Sequence, residues 1–237
     1  MKVQRPFERR NGLTTGRATM ILILETASIL LFLNAGSFFS TTSFRESSPV
    51  VGLALVAALA GWMLWSSRSR GYSRRDLGLT ASVSTRWWLA TLALCSCLLA
   101  LGVASEIQQG VTGPDVGGFA LLQLAVFNLT FGPLFEEIVF RSYLFRRAGE
   151  GLPCAAPWAP SLFTGVAFGL WHLPTPLFLM YLRVDLPAAY TGVVPTVIGA
   201  AATGALLGEI RRRSSSLAPC ILIHATANGL NTISHLI

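Results

Sequence analysis

Charge is what this sequence has least of. Only 12% of its 237 residues are Asp, Glu, Lys or Arg, about half of the roughly 25% that a soluble globular domain carries. A water-soluble fold of this length needs more surface charge than 18 basic and 11 acidic side chains supply, so the hydrophobic excess has to face lipid. Cysteine is scarce too. Cys95, Cys97, Cys154 and Cys220 form no Cys-x-x-Cys and no Cys/His ligand spacing, which excludes a disulfide scaffold and leaves them as small packing residues. There is no Gly-X-Y period, no repeat of fixed length and no low-complexity tract, so collagen-like, solenoid and disordered classes fall away as well.

What the chain has instead is apolar runs. Seven can be drawn, approximately Ala18 to Asn34, Pro49 to Trp65, Trp87 to Ala104, Val116 to Phe140, Trp158 to Tyr181, Ala188 to Gly208 and Leu217 to Leu236. Each has about the length a spanning helix needs, and few are broken by a polar face of helical period. The expected fold is all-α, a polytopic transmembrane helix bundle of about seven spans. An N-terminal arm, 1–17, precedes a single membrane domain, 18–237, and no second domain fits in the loops. The basic lead before Ile21 to Leu33 mimics a secretory signal, but Glu25 within the core and the want of a small-x-small cleavage site predict a retained helix.

The net charge of +7 does not form a nucleic-acid-binding module, because the basic residues lie between apolar runs. On one side fall Lys2, Arg5, Arg9, Arg10 and Arg17, then Arg68, Arg70, Arg74, Arg75 and Arg86, then Arg141, Arg146 and Arg147, then Arg211, Arg212 and Arg213. Only Arg45 and Arg183 are left for the other. The positive-inside rule therefore places the N-terminus in the cytoplasm of a multi-pass protein of the plasma (inner) membrane.

Ionisable residues inside a bilayer are expensive, so a helix that keeps them usually gains a function. The fourth run ends with Glu136, Glu137 and Arg141, the fifth holds Phe168 and His172, and the seventh holds His224 and Asn228. The helical rise puts Glu136, His172 and His224 at comparable depth in the cytoplasmic half. Glu137 and Arg141 are i,i+4 and can pair on one face, whereas Glu136 points about 100° away, free to face a cavity as a general base. His172 could share a water with it. His224 and Asn228, again i,i+4, put an imidazole N–H and an amide donor on one face, the requirement of a developing oxyanion.

These three constellations resemble the CPBP family of intramembrane proteases, which includes the CAAX endopeptidases and bacteriocin-processing, Abi-like enzymes. The family pattern Glu-Glu-x-x-x-Arg, Phe-x-x-x-His, His-x-x-x-Asn stands here as Glu136, Glu137 and Arg141, Phe168 and His172, and His224 and Asn228. The resemblance runs from about Arg75 and covers a motif-bearing core of about 75–237. One departure is Ser142, where many relatives have Gly. The resemblance implies a glutamate-type endopeptidase in which Glu136 and His172 activate water and His224 and Asn228 stabilise the tetrahedral intermediate, with Glu137 completing the catalytic set and Arg141 and Phe168 in support. No cofactor is favoured. Some relatives have been labelled metalloproteases, and a zinc ion would use Glu136, His172 and His224, although no His-Glu-x-x-His is present. The implied partners are the lipid bilayer and a peptide or protein substrate, membrane-anchored or bearing a C-terminal or leader segment.

Other readings of the same residues stay open. Glu137 and Arg141 can be a structural pair at a helix end. His172 can be a hydrogen-bonded core histidine, and Phe168 a packing residue. The whole cluster can belong to a proton-coupled transporter or to a non-catalytic membrane scaffold or immunity protein. Glu25, Gln123, Asn128 and Glu209 are expected to join helix contacts or, for Glu209, to pair with the following arginines.

Overall fold

The computed structural model describes residues 15–41, 48–80, 82–109, 126–152, 156–173 and 186–233. Among them the chain is all-helical, without a strand. The helices are α1 (Thr15–Thr41), α2 (Ser48–Ser69), α3 (Thr85–Gln109), α4 (Gly132–Glu137), α5 (Phe145–Gly151), α6 (Ala159–His172), α7 (Leu186–Ser214) and α8 (Ala218–Ile233). A π-helical turn, Phe127–Phe131, leads into α4, and a second π-helical stretch, Ile138–Leu144, joins α4 to α5. Three segments are long and apolar enough to cross a membrane, Thr15–Asn34, Thr85–Ala104 and Val193–Ser214. They lie in the first, third and sixth runs drawn from the sequence.

The chain divides into two compact units. The first comprises 1–77 and 143–209. Here α1 packs on α2, α5 and α6, and α5 on α6. Leu22, Thr26, Ile29 and Leu33 are buried at i, i+4, i+7 and i+11, one stripe of an otherwise exposed helix whose Met20, Ile23, Leu24 and Leu31 are all more than half exposed. Such a surface suits lipid rather than water. Thr26 hides its hydroxyl by donating to the Leu22 carbonyl, 2.8 Å away. The approach of α6 to α7 depends on missing side chains: a Cβ on Gly165 would meet Ala201 and Ala205, one on Gly169 would meet Val197 and Ala201, and one on Gly208 would meet Ser161. This is the small-xxx-small packing of membrane helices.

A buried polar network ties the same unit together. Glu25 on α1 accepts from Nε and Nη2 of Arg147, each 2.7 Å away, and from the Tyr143 hydroxyl. Tyr143 also meets Ser66 Oγ of α2 at 2.7 Å. Glu150 takes Arg147 Nη1 at 3.0 Å, Arg146 Nη2 at 3.2 Å and the Tyr72 hydroxyl at 2.5 Å. Burial, reinforced by this acceptor, pushes the Tyr72 hydroxyl well above its ordinary range. The expectation that Glu25 joins helix contacts is met here. The assignment of Arg146 and Arg147 to a cytoplasmic loop needs correcting: the helical path continues past Phe140 to Gly151, and both side chains are buried because Glu25 and Glu150 neutralise them.

The second unit comprises 78–142 and 210–237. In it α8 packs on α3, on the first π turn and on α4. The start of α8 is fixed by a lacing of backbone and serine hydroxyls. Leu217 N donates to Gly78 O at 3.0 Å, and Ser216 Oγ donates to Thr80 O at 2.9 Å. Gly78 has φ +72°, a left-handed conformation that calls for glycine, and a Cβ there would also press on the far end of the Arg211 side chain. Arg211 was expected in a loop, but α7 runs on through it to Ser214.

Candidate active site

The site in the second unit is set by how α4 begins and ends. Pro133 lies in the first turn of α4. It has no N–H to give the carbonyl four residues earlier, that of Leu129, and the backbone there widens into the π turn Phe127–Phe131. With the second π stretch beginning at Ile138, Glu136 and Glu137 are the last two residues of a single α-helical segment held between two π-helical ones. Such departures from regular helix recur at functional positions. Pro174 and Pro176, expected to end the fifth span, lie outside the described residues.

Glu137 is fully buried and faces two cations or donors. Its Oε1 lies 3.2 Å from Arg141 Nη1 and 2.8 Å from His224 Nδ1. The Arg141 side chain has no exposure either, so the i,i+4 pair expected from spacing is formed, and formed away from water. Its guanidinium also approaches the Phe140 ring, 5.8 Å from the centroid. Ser142 beside it is buried, as a small residue replacing glycine has to be.

Glu136 stands apart from that pair. Its Oε2 is 3.3 Å from His224 Nε2, and its side chain keeps a small exposure, 12%, where Glu137 has none. His224 therefore lies between the two carboxylates, one ring nitrogen toward each. Spacing within the separate helices gave no sign of this, since it arises from α8 packing across α4. The four groups, Arg141, Glu137, His224 and Glu136, form one continuous chain of polar contacts. Asn228, one turn beyond His224 on α8, is half-buried.

His172 and Phe168 belong to the first unit. The His172 Nδ1 is 2.8 Å from the Phe168 carbonyl, and because a carbonyl only accepts, Nδ1 carries a proton, which in the neutral ring leaves the lone pair on Nε2. Phe168 and Trp171 hold the imidazole edge-on, with ring centroids 4.5 and 4.8 Å away. Phe168 thus contributes both a ring and a carbonyl to His172, which answers why an aromatic residue sits four positions before it.

Among the described residues no three His, Cys, Asp or Glu side chains are arranged to hold a metal ion. No curated protein and no solved structure matches the chain. Residues 118–230, just under half of the chain, match the family model for type II CAAX prenyl endopeptidase Rce1-like proteins. That stretch contains Glu136, Glu137, Arg141, Phe168, His172, His224 and Asn228, so all three motifs lie where the chain is similar to the type II CAAX prenyl endopeptidase Rce1-like family.

Proposed function

We propose that this protein is an intramembrane glutamic endopeptidase that hydrolyses a peptide bond near the cytoplasmic face of the plasma (inner) membrane. In this reading Glu136 removes a proton from a water that His172 helps to hold, and the hydroxide adds to the scissile carbonyl. His224 and Asn228 donate to the oxyanion, and as the tetrahedral intermediate collapses and the C–N bond breaks, Glu136 returns its proton to the leaving nitrogen, which departs as the amine. Glu137 and Arg141 hold His224 in register. The observation that carries the reading is the buried contact chain Arg141–Glu137–His224–Glu136 inside the region that matches the protease family. A scaffold has no use for so costly a cluster.

The topology proposed with it has about seven spans, the N-terminus in the cytoplasm, and one membrane domain, 18–237, whose motif-bearing core is 75–237. The substrate is a peptide or protein, membrane-anchored or presenting a C-terminal or leader segment. The test is cleavage of a peptide library by the full chain in proteoliposomes, with and without chelator. Cleavage that survives chelation and disappears in Glu136→Gln supports the glutamic mechanism. Cleavage abolished by chelator and restored by zinc supports the zinc-dependent version. Ion or proton flux with no cleavage would make the protein a transporter.

A further inference from the structure

The arginines around the end of α2 fall into two populations. Arg70 turns inward, 3.3 Å from Ser66 Oγ and 3.8 Å from Glu25 Oε1. The acid of the following loop is also engaged, because Asp76 accepts from Ser73 N and Oγ at 2.9 and 2.7 Å and lies 3.9 Å from Arg146. Arg68, Arg74 and Arg75 are exposed, and among the described residues none of the three has an acidic partner. Three cations without an acidic partner among the described residues thus lie within eight residues.

Their neighbours on α2 are apolar and equally exposed. Leu64 and Trp65 are 56% and 65% exposed, and Trp62 is 37% exposed. Trp62, Trp65 and Arg68 follow one another at i,i+3, so successive side chains share a face and rise by about 4.5 Å. Indole and guanidinium groups are thus exposed side by side around the end of α2, although Trp62 also packs edge-on against Tyr143, 5.4 Å between ring centroids. The border between acyl chains and headgroups accommodates both, with the indole at the carbonyl level and the guanidinium at the phosphates. The guanidinium plane also matches two phosphate oxygens, where an ammonium would supply only a point charge.

We propose that Arg68, Arg74 and Arg75, bordered by Trp62 and Trp65, form a docking surface for the phosphate of anionic phospholipid headgroups. The proposal rests on the reading of α2 as a membrane span that ends at this border. It makes the protein selective for the lipid at this position, and it gives the region outside the family match a function of its own.

The full chain is reconstituted in phosphatidylcholine vesicles holding a minority of phosphatidylglycerol, with a trace of either lipid carrying a diazirine near its headgroup. Crosslinks to 62–75 are then counted by peptide mass spectrometry. The glycerol lipid should exceed the choline lipid by about fivefold or more at equal trace concentration, since each basic side chain at an anionic surface contributes an attraction of that order. The Arg68→Gln, Arg74→Gln, Arg75→Gln variant should lose the excess while keeping the choline-lipid crosslinks and the melting temperature, because these side chains are exposed. Equal crosslinking of both lipids in the parent overturns the docking surface and leaves the span intact. No crosslink from either lipid at 62–75 overturns the span and the docking surface together.

Discussion

Replacing Glu137 by glutamine separates its charge from its shape. Glutamine leaves Oε1 in position to accept from His224 Nδ1, 2.8 Å away, and still 3.2 Å from Arg141 Nη1. The new amide nitrogen takes the place of Oε2, which has no hydrogen-bond partner among the described residues, so no existing bond is broken there. What disappears is the negative charge facing a guanidinium with no exposure. Removing one partner of a buried ion pair costs about 3–5 kcal/mol, because the other is left uncompensated in a low dielectric. For a chain of this size each kcal/mol moves the melting temperature by roughly 2–4 °C, so the expected fall is on the order of 6–20 °C. Thermal unfolding in detergent, followed by tryptophan fluorescence, measures it. Arg141→Met in the Glu137→Gln background removes the cation that has lost this counter-charge and should restore most of the loss, without restoring peptide cleavage, since His224 still lacks the charge of Glu137. A melting temperature equal to the parent's in Glu137→Gln alone would refute the reasoning.

Three further outcomes are expected. Glu136→Gln should abolish cleavage and leave the melting temperature nearly unchanged, as it removes the base and keeps the shape; near wild-type turnover would remove Glu136 from the mechanism. His224→Ala and Asn228→Ala should each lower turnover by on the order of 100- to 1000-fold, about 2.7–4 kcal/mol, with substrate affinity barely altered, and steady-state kinetics showing a loss confined to affinity would take both out of the oxyanion site. A cysteine introduced at Ser47 should react with an impermeant reagent in intact cells, and reaction only after lysis would invert the proposed topology.

Membrane helices show their existence in a sequence far better than their faces. α1 is apolar all round, so no periodicity separates the stripe Leu22, Thr26, Ile29 and Leu33, which is buried, from Met20, Ile23, Leu24 and Leu31, which are exposed. A soluble helix would have marked the difference with charge. The signal that was present is Glu25, a lone acid in an apolar run that needs a cation. Its partners, Arg147 and Arg70, are distant in sequence, and counting arginines as loop markers hid the fact that one of them is buried. The small residues Gly165, Gly169, Ala201 and Ala205 carry a readable four-residue spacing, but only the fold shows that they face each other.

The site divides along the same line. Contacts within one helix follow from spacing, which is why the Glu137–Arg141 pair and the placing of Phe168 four residues before His172 could be anticipated. The position of His224 could not, because it depends on α8 packing across α4. That position bears directly on the proposed chemistry. An N–H···O hydrogen bond is ordinarily 2.7–3.2 Å long, so the 2.8 Å contact of Nδ1 with Glu137 is a hydrogen bond, whereas the 3.3 Å contact of Nε2 with Glu136 is a looser approach that makes none. If the imidazole is to serve an oxyanion, the loose contact is the one that gives way while Glu137 keeps the ring in place. Under the proposed mechanism the second glutamate of the motif would keep the histidine in place, and the first would part from it when the substrate carbonyl and its water arrive.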